Sequence, residues 1–196
     1  MSNEKITGSR LKLILIILVI LSPIIISSFL HRWNFHPGST VNYGELLELK
    51  PIQGVATNIE DNTIFRNRQL RDAWNLLIID SGKCDGYCQE KLYIIRQVRL
   101  AQHVNKDVIQ RIWLINDNIE PDSDIRDKYE GTKLIFAQGK ELLDEFPFGP
   151  ETSQQDYIYL IDPIGNLMMR YPRNPDPKKM ISDLKRLLKL SHPTDH

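Results

Sequence analysis

The sequence predicts an α/β domain, a central mixed sheet flanked by helices, behind one N-terminal transmembrane helix. Three observations in the 196-residue chain predict this class. A long apolar run opens the chain, buried-strand patterns alternate with helical patterns after it, and the last segment has helical spacing. Roughly 150 residues follow the apolar run, which is enough for one self-sufficient domain with its own core.

The apolar run covers residues 11–30, close to the ~20 residues that cross ~30 Å of hydrocarbon as a helix. Basic residues are denser at the start of the run than after it: Lys5 and Arg10 precede it and Lys12 is its second residue, whereas only Arg32 follows closely. This asymmetry predicts that residues 1–10 lie in the cytoplasm and that the domain lies on the far side of the membrane. A cleaved signal peptide is the alternative, because Ser27 and Ser28 permit cleavage.

Composition divides the rest of the chain into three parts. Residues 31–50 have no clear hydrophobic period and are predicted to be a juxtamembrane linker, residues 51–191 the folded domain, and residues 192–196 a frayed tail. Lys and Arg together number 25, as do Asp and Glu, so the formal net charge is zero. This balance gives no reason to expect a nucleic acid as a partner.

The first predicted strand is residues 74–80, a nearly continuous apolar run typical of a strand covered on both faces. Residues 81–83 end it, and a helix is predicted over residues 85–103. The apolar residues of that helix form one stripe, while Lys91 and other polar residues are assigned to the remaining face. A second buried strand is predicted over residues 111–116.

Three further segments are predicted to follow: a polar loop over residues 117–127, a short strand over 133–136, and hairpin strands over 157–162 and 166–171. The turn between the hairpin strands contains Pro163 and Gly165, as a β-hairpin requires. Asp176 as N-cap and Pro177 at the first helical position predict the start of a final helix. The order strand, helix, strand, loop, hairpin, helix is the layout of a thioredoxin-like fold.

The chain has two cysteines, Cys84 and Cys88, and they lie between the first predicted strand and its helix. Free N–H groups and the positive end of the helix dipole stabilise a thiolate at such a position. A thiolate is the nucleophile in disulfide exchange and a soft ligand for Cu(I). We therefore predict that Cys84 and Cys88 are the catalytic pair, exposed enough to react, and that they are also candidate Cu(I) ligands.

The spacing of the two cysteines constrains the backbone between them. Residues four apart in a regular helix have Cβ atoms ~5–6 Å apart, whereas a disulfide needs about 3.5–4.5 Å. Closing the bridge requires Cys84 to lie outside the regular helix, and we expect Gly82 and Gly86 to supply that freedom. The neighbouring carboxylate of Asp85 opposes thiolate formation. A structural disulfide is the alternative, although so short a loop stabilises a fold least.

The Gly-x-Cys-x-x-x-Cys motif at residues 82–88, between a buried strand and a long helix, resembles the Sco/SenC family. The Asp-Pro-x-Gly turn at residues 162–165 is similar to that family as well, and the resemblance spans roughly residues 70–190. It implies a thioredoxin-like domain in the periplasm, anchored in the inner membrane, that assists cytochrome c oxidase assembly through Cys84 and Cys88. The implied partners are a cytochrome c oxidase subunit or another periplasmic thiol or copper protein.

The sequence departs from this family at the third copper ligand. In the family, a histidine just before the hairpin strand supplies that ligand, commonly after an aspartate. Here Asp156 is followed by Tyr157, and no histidine lies between His103 and His192. The transfer from the family therefore covers the two cysteines only.

Three functions remain compatible with the sequence. The first is thiol–disulfide exchange, an oxidoreductase activity that keeps the copper-site cysteines of an oxidase reduced. The second is delivery of Cu(I) by a chaperone with a reduced ligand set. The third is a non-catalytic assembly factor that binds a membrane partner through its surface. The prediction favours the first, because two thiolates without a third ligand weaken the case for copper.

Overall fold

The structure, a computed structural model, describes residue 12 and residues 15–23, 28–29 and 42–191. The chain divides into two compact units, Met1–Val41 and Asn42–His196. Within the described part, no helix is both long enough and apolar enough to cross a bilayer. Residues 15–23 are helical, but the rest of the proposed transmembrane segment lies largely outside the described residues, as do residues 1–10 and 192–196.

The second unit is built on a mixed β-sheet with helices on its faces. Its strands are β1 (Glu45–Pro51), β2 (Ala56–Asn58), β3 (Ile64–Phe65), β4 (Trp74–Asp80), β5 (Ile109–Ile115), β6 (Thr132–Ala137), β7 (Ile158–Ile161) and β8 (Asn166–Tyr171). Its helices are α1 (Gly86–Leu100), α2 (Ser123–Lys128), α3 (Lys140–Leu143) and α4 (Pro177–Ser191). Within residues 42–191 the sheet has eight strands in the order β1-β8-β7-β4-β5-β6-β2-β3.

Strand β4 lies in the middle of the sheet, which explains its uninterrupted apolar sequence. It pairs with β5 in parallel and with β7 antiparallel, and all seven of its residues are buried. Leu76 and Ile78 belong to the apolar cluster that includes α1 and α4, while Leu77 and Ile79 belong to the cluster on the opposite face. The predicted strand at residues 74–80 and the predicted thioredoxin-like α/β class with a mixed sheet are both confirmed.

The remaining predicted elements form, with shifted ends. The helix predicted to His103 ends at Leu100, and a 3-10 segment at His103–Val108 follows it. The predicted loop at residues 117–127 is wrong in its second half, where α2 forms. Tertiary packing explains this helix, because Ile125 packs against the core cluster on that side of the sheet.

The structure also adds three strands that the sequence patterns do not indicate. Strand β1 is an edge strand in the segment predicted as linker and lead-in, and six of its seven residues are exposed. An exposed edge strand shows no apolar alternation, so its sequence carries no period to detect. It is held by backbone pairing with β8 and by an ion pair between Glu45 and Arg170 at 2.7 Å.

Candidate functional site

The two cysteines lie at the junction between the end of β4 and the start of α1. Cys84 lies in the loop that follows the strand, and Cys88 lies in the first turn of the helix. Their sulfur atoms form a disulfide with an S–S distance of 2.04 Å and a Cα–Cα distance of 5.0 Å. The structure therefore brings the predicted pair together. Cys84 lies outside the regular helix, as the spacing predicts.

The backbone freedom that this bridge needs comes from an unexpected residue. Cys84 itself has φ +44°, in the left-handed region that non-glycine residues rarely adopt. Neither Gly82 nor Gly86 has a positive φ, so the expectation that they supply the freedom is wrong. Gly82 serves close packing instead, because a Cβ there would lie 1.7 Å from the carbonyl oxygen of Ile119.

Both cysteines are buried, contrary to the expectation of an exposed pair. Cys84 is 2% exposed and Cys88 is 0% exposed. The residues on either side of Cys84, Lys83 and Asp85, are both exposed. The disulfide is therefore buried although the chain on either side of Cys84 is exposed, and exchange with another thiol requires the loop to move.

Asp85 is the N-cap of α1 and has a second electrostatic role. Its carboxylate accepts a hydrogen bond from the backbone N–H of Cys88 at 2.9 Å. A capping carboxylate takes one of the free N–H donors at the helix N-terminus and adds a negative charge beside Cys84. Asp85 thus strengthens the helix start and opposes ionisation of the neighbouring thiol, as the sequence predicts.

Asp117, directly after β5, holds the cysteine loop from the other side. Its carboxylate accepts hydrogen bonds from the backbone N–H of Gly82 at 2.9 Å and of Ile119 at 3.3 Å. Burial by itself raises the pKa of Asp117, but hydrogen bonds from Gly82, Ser81 and Ile119 outweigh it, and the pKa is lowered. The carboxylate therefore stays ionised and ties the loop to the chain after β5.

Lys91 is a buried cation near the disulfide, and the prediction of a solvent-facing side chain is wrong. It is 0% exposed and forms an ion pair with Asp80 at 2.8 Å. Burial lowers the pKa of its ammonium, while the charge of Asp80 acts in the opposite direction. Cys88 belongs to the apolar stripe of the helix, and Lys91 follows it by three residues. This spacing is the sequence signal that would have indicated the burial of Lys91.

Lys91 also joins the helix to the segment before β7. Its ammonium donates hydrogen bonds to the carbonyl oxygens of Ile79 and Gln155. The hydroxyl of Tyr87, which lies inside the cysteine motif, donates to the carbonyl oxygen of Asp156 at 3.2 Å. The segment where the Sco/SenC resemblance places a metal-binding histidine therefore lies against α1 and is bound by a lysine and a tyrosine.

Cys84 and Cys88 remain the candidate metal ligands. Within the part of the chain that the structure describes, no group of three or more His, Cys, Asp or Glu side chains could hold a metal ion. His103 lies beyond the far end of α1, and the other four histidines are outside the described residues. After reduction, Cys84 and Cys88 would offer two thiolates, the soft donors that Cu(I) prefers.

The fold and the disulfide define a thioredoxin-fold protein whose cysteine pair sits at the junction of the central strand and a helix. The family model described as "Transmembrane-like, thioredoxin-like, C-terminal domain" matches residues 74–191. The chain belongs to this family, and the match includes both cysteines. No curated protein matches the chain.

Solved structures with the same fold include copper-binding and redox proteins. Yeast Sco1 with copper bound is 15% identical, with a TM-score of 0.57 over 74% of this chain and 98% of that chain. A SCO1/SenC family lipoprotein from Bacillus anthracis is 19% identical, with a TM-score of 0.52 over 74% of this chain and 98% of that chain. The thioredoxin domain of a Bacteroides vulgatus thiol-disulfide oxidoreductase is 11% identical, with a TM-score of 0.51 over 76% and 99%. The likeness to Sco/SenC proteins is thus confirmed in the fold.

Proposed function

We propose that this domain is a thiol–disulfide oxidoreductase whose exchanging pair is Cys84 and Cys88. One observation carries the proposal: the chain's two cysteines form a disulfide where the central strand meets a helix N-terminus. That position favours a thiolate, the reactive form in exchange. The fold shared with a thiol-disulfide oxidoreductase domain supports the same class of reaction.

The reaction is a two-step exchange with a dithiol client. A client thiolate attacks one sulfur of the disulfide, forms a mixed disulfide and releases the other sulfur as a thiolate. The second client thiolate then attacks the mixed disulfide, which leaves the client oxidised and both cysteines reduced. The reverse sequence reduces a client disulfide. Cys84 is the sulfur that a client reaches, because it lies between exposed residues while Cys88 is held inside α1.

Buried charge near the pair is suited to this chemistry. Cys88 and Lys91 are three residues apart on the helix, so their side chains are neighbours on one face. A thiolate released at Cys88 would be buried, and the positive charge of Lys91, although paired with Asp80, would favour it from one helical turn away. Asp85 acts in the opposite sense at the helix N-terminus, so the two residues together set how stable the reduced form is.

The cellular setting is part of the proposal. The apolar run at residues 11–30 would anchor the domain in the inner membrane, and the excess of basic residues before it would place the domain in the periplasm. The client would be a cytochrome c oxidase subunit or another periplasmic thiol or copper protein. The fold shared with Sco proteins supports this choice of client.

Delivery of copper is the second candidate function. Bradyrhizobium japonicum ScoI with copper bound shares the fold at 17% identity, with a TM-score of 0.51 over 71% of this chain and 99% of that chain. Copper would be cargo on the reduced pair, held by the thiolates of Cys84 and Cys88. The absence of a third candidate ligand within the described residues makes this the weaker candidate.

The test is a redox titration of the purified chain, followed by a Cu(I) titration of its reduced form. An exchanging pair should have a reduction potential well above the ≈ −300 mV typical of structural disulfides. A potential below that value would make the bridge a structural one. Stoichiometric Cu(I) binding that Cys84→Ser abolishes would favour the chaperone, and a Cys84→Ser/Cys88→Ser chain that still supports oxidase assembly in cells would favour the non-catalytic factor.

A further inference from the structure

Arg111 is a buried guanidinium at the start of β5, away from the cysteines. It is 5% exposed, and its Nη2 donates a hydrogen bond to the carbonyl oxygen of Glu130. Its Nε and Nη1 atoms are buried and have no hydrogen-bond partner among the residues that the structure describes. Buried guanidinium groups normally satisfy their donors, so two nitrogen atoms with unused N–H groups mark an unusual site.

In the described part of the chain, no carboxylate compensates the charge of Arg111. Within residues 42–191, Arg111 forms no ion pair with an acidic side chain. The charges that act on it are those of Arg99 and Arg96, and burial together with these two cations lowers the pKa of Arg111 to about 10. A buried charge without a partner is costly, and neighbours of the same sign add to the cost.

The two neighbouring arginines are also bound mainly by the backbone. Arg96 donates to the carbonyl oxygen of Lys128 at 3.0 Å, and Arg99 donates to that of Ile109 at 2.8 Å. Arg99 has one ion pair, with Asp107 at 3.3 Å, and the side chain of Asp107 is 75% exposed. The cluster of Arg96, Arg99 and Arg111 therefore carries excess positive charge over its acidic partners.

The strand next to Arg111 adds another unused polar group and borders a cavity that Arg111 itself does not line. Thr132 is the register partner of Arg111 on β6, and within residues 42–191 its buried Oγ1 likewise has no hydrogen-bond partner. A Cβ at Gly131, where φ is +76°, would lie 3.1 Å from Nη2 of Arg111, so the guanidinium sits directly behind this turn. Gly131 and Thr132 line a cavity of about 360 Å³.

The charges around that cavity define how a ligand would approach. Its lining includes the acidic residues Glu60, Asp127 and Glu130 and one basic residue, Arg126. These acidic side chains form no ion pair with Arg111. The acidic side chains would repel an anion in the cavity. A compact anion that moves beyond Thr132 would instead be attracted by the guanidinium groups of Arg96, Arg99 and Arg111.

We propose that Arg96, Arg99 and Arg111, with the hydroxyl of Thr132, bind a phosphate-type oxyanion, carried either by free phosphate or by a phospholipid head group. Guanidinium groups match the geometry of phosphate oxygens and retain their charge when buried. The bound oxyanion would accept from the unused N–H groups and from the hydroxyl. This site is independent of the proposed redox function, since it uses neither cysteine.

The first test measures thermal unfolding of the full chain in a detergent without phosphate groups. Inorganic phosphate is added at constant ionic strength, with chloride as the matched salt. The expected result is a saturable rise in unfolding temperature with phosphate. Arg111→Met should weaken the apparent affinity at least tenfold, and Arg96→Met, a surface change that the fold should tolerate, about threefold. Lys133→Met is the matched control, because it removes a positive charge from the residue after Thr132 and should leave the response unchanged.

The second arm distinguishes the source of the phosphate. The chain is placed in phosphatidylcholine bilayers with and without a third of phosphatidylglycerol, and its unfolding temperature is compared with that of Arg111→Met. Stabilisation by phosphatidylglycerol that Arg111→Met loses would identify the head group, whereas a response to free phosphate alone would identify the soluble ion. If neither phosphate source stabilises the unsubstituted chain beyond chloride, or if Lys133→Met weakens the response as much as Arg111→Met does, the proposal is overturned.

Discussion

The reactivity of the disulfide depends on individual charges within a few residues of it. Asp85 places a carboxylate directly after Cys84, and its hydrogen bond to the N–H of Cys88 keeps that carboxylate at the helix start. Lys91 places an ammonium one helical turn beyond Cys88, fully buried against Asp80. The negative charge disfavours a thiolate and the positive charge favours it. Substitution of either residue separates the two effects.

Replacing Asp85 by asparagine should lower the pKa of the Cys84 thiol in the reduced protein. Asparagine caps a helix about as well as aspartate, so the helix start is kept while the negative charge is lost. Loss of the neighbouring negative charge favours the thiolate, so we expect the pKa of the Cys84 thiol to fall. Thiolate absorbance at 240 nm measured against pH provides the value. Glu90→Gln removes a charge from the same helix and should have a smaller effect; an unchanged pKa in Asp85→Asn would contradict this account.

Replacing Lys91 by methionine should destabilise the oxidised protein strongly. The change leaves Asp80 buried with no positive partner, and breaking one side of a buried ion pair costs about 3–5 kcal/mol. Urea denaturation measures the free energy of unfolding. The double variant Lys91→Met/Asp80→Leu should recover much of the loss, because no unpaired charge remains. Lys83→Met, at an exposed position, is the control, and a loss of under about 1 kcal/mol in Lys91→Met would count against the ion pair.

At the scale of elements, the cysteine loop is held between the end of β4 and the segment after β5. The backbone of Gly82 packs closely on Ile119, and the carboxylate of Asp117 binds the N–H groups of both residues. Because Cys84 and Cys88 are buried, a client reaches them only when this contact loosens. We therefore expect the segment after β5 to influence access to the disulfide.

Replacing Asp117 by alanine should speed reduction of the disulfide. The variant loses the hydrogen bonds that hold the cysteine loop, each worth about 1–3 kcal/mol when a charged acceptor is involved. We expect the second-order rate with a water-soluble phosphine to rise about tenfold, which corresponds to ~1.4 kcal/mol. Asp122→Ala is the control, because Asp122 makes no side-chain cap hydrogen bond. Equal rates in the two variants would show that the loop opens elsewhere.

At the scale of the whole molecule, buried tyrosines make the free energy of unfolding depend on pH in the alkaline range. Burial raises the pKa of Tyr159 and of Tyr171 above the ordinary value, and burial likewise raises the pKa of Tyr87. A group whose folded pKa is raised contributes stability that is present below its unfolded pKa of about 10 and is lost as pH rises beyond it. We therefore expect these tyrosines to lower the free energy of unfolding as pH rises above about 10.

A comparison of two phenylalanine variants tests this origin. The hydroxyl of Tyr171 is buried and has no hydrogen-bond partner in the described part of the chain. Tyr171→Phe should therefore keep or raise stability at pH 7, by up to about 1 kcal/mol, and should reduce the alkaline loss. Tyr159 donates a hydrogen bond to the carbonyl oxygen of Pro147 at 3.0 Å, so Tyr159→Phe should cost about 1 kcal/mol at pH 7. Urea unfolding at pH 7 and pH 10.5 measures both effects. An alkaline loss that neither variant reduces would assign it to other groups.

The sequence by itself determined the central strand, the position of the cysteine pair and the final helix. These features depend on local patterns: the apolar run of β4, two cysteines directly after it, and the Asp176-Pro177 start of α4. Such patterns survive without knowledge of neighbours in space, because a strand covered on both faces is apolar throughout.

Only the tertiary structure decided which polar groups lie inside. Lys91 reads as a solvent-facing residue, yet Asp80 and two carbonyl oxygens from separate segments hold it in the interior. The edge strand β1 likewise depends on its pairing with β8, and the cysteine loop depends on the hydrogen bond between Gly82 and Asp117, both between segments distant in the chain. Burial of a charge is favourable only when its partners are in place, and the fold alone supplies those partners.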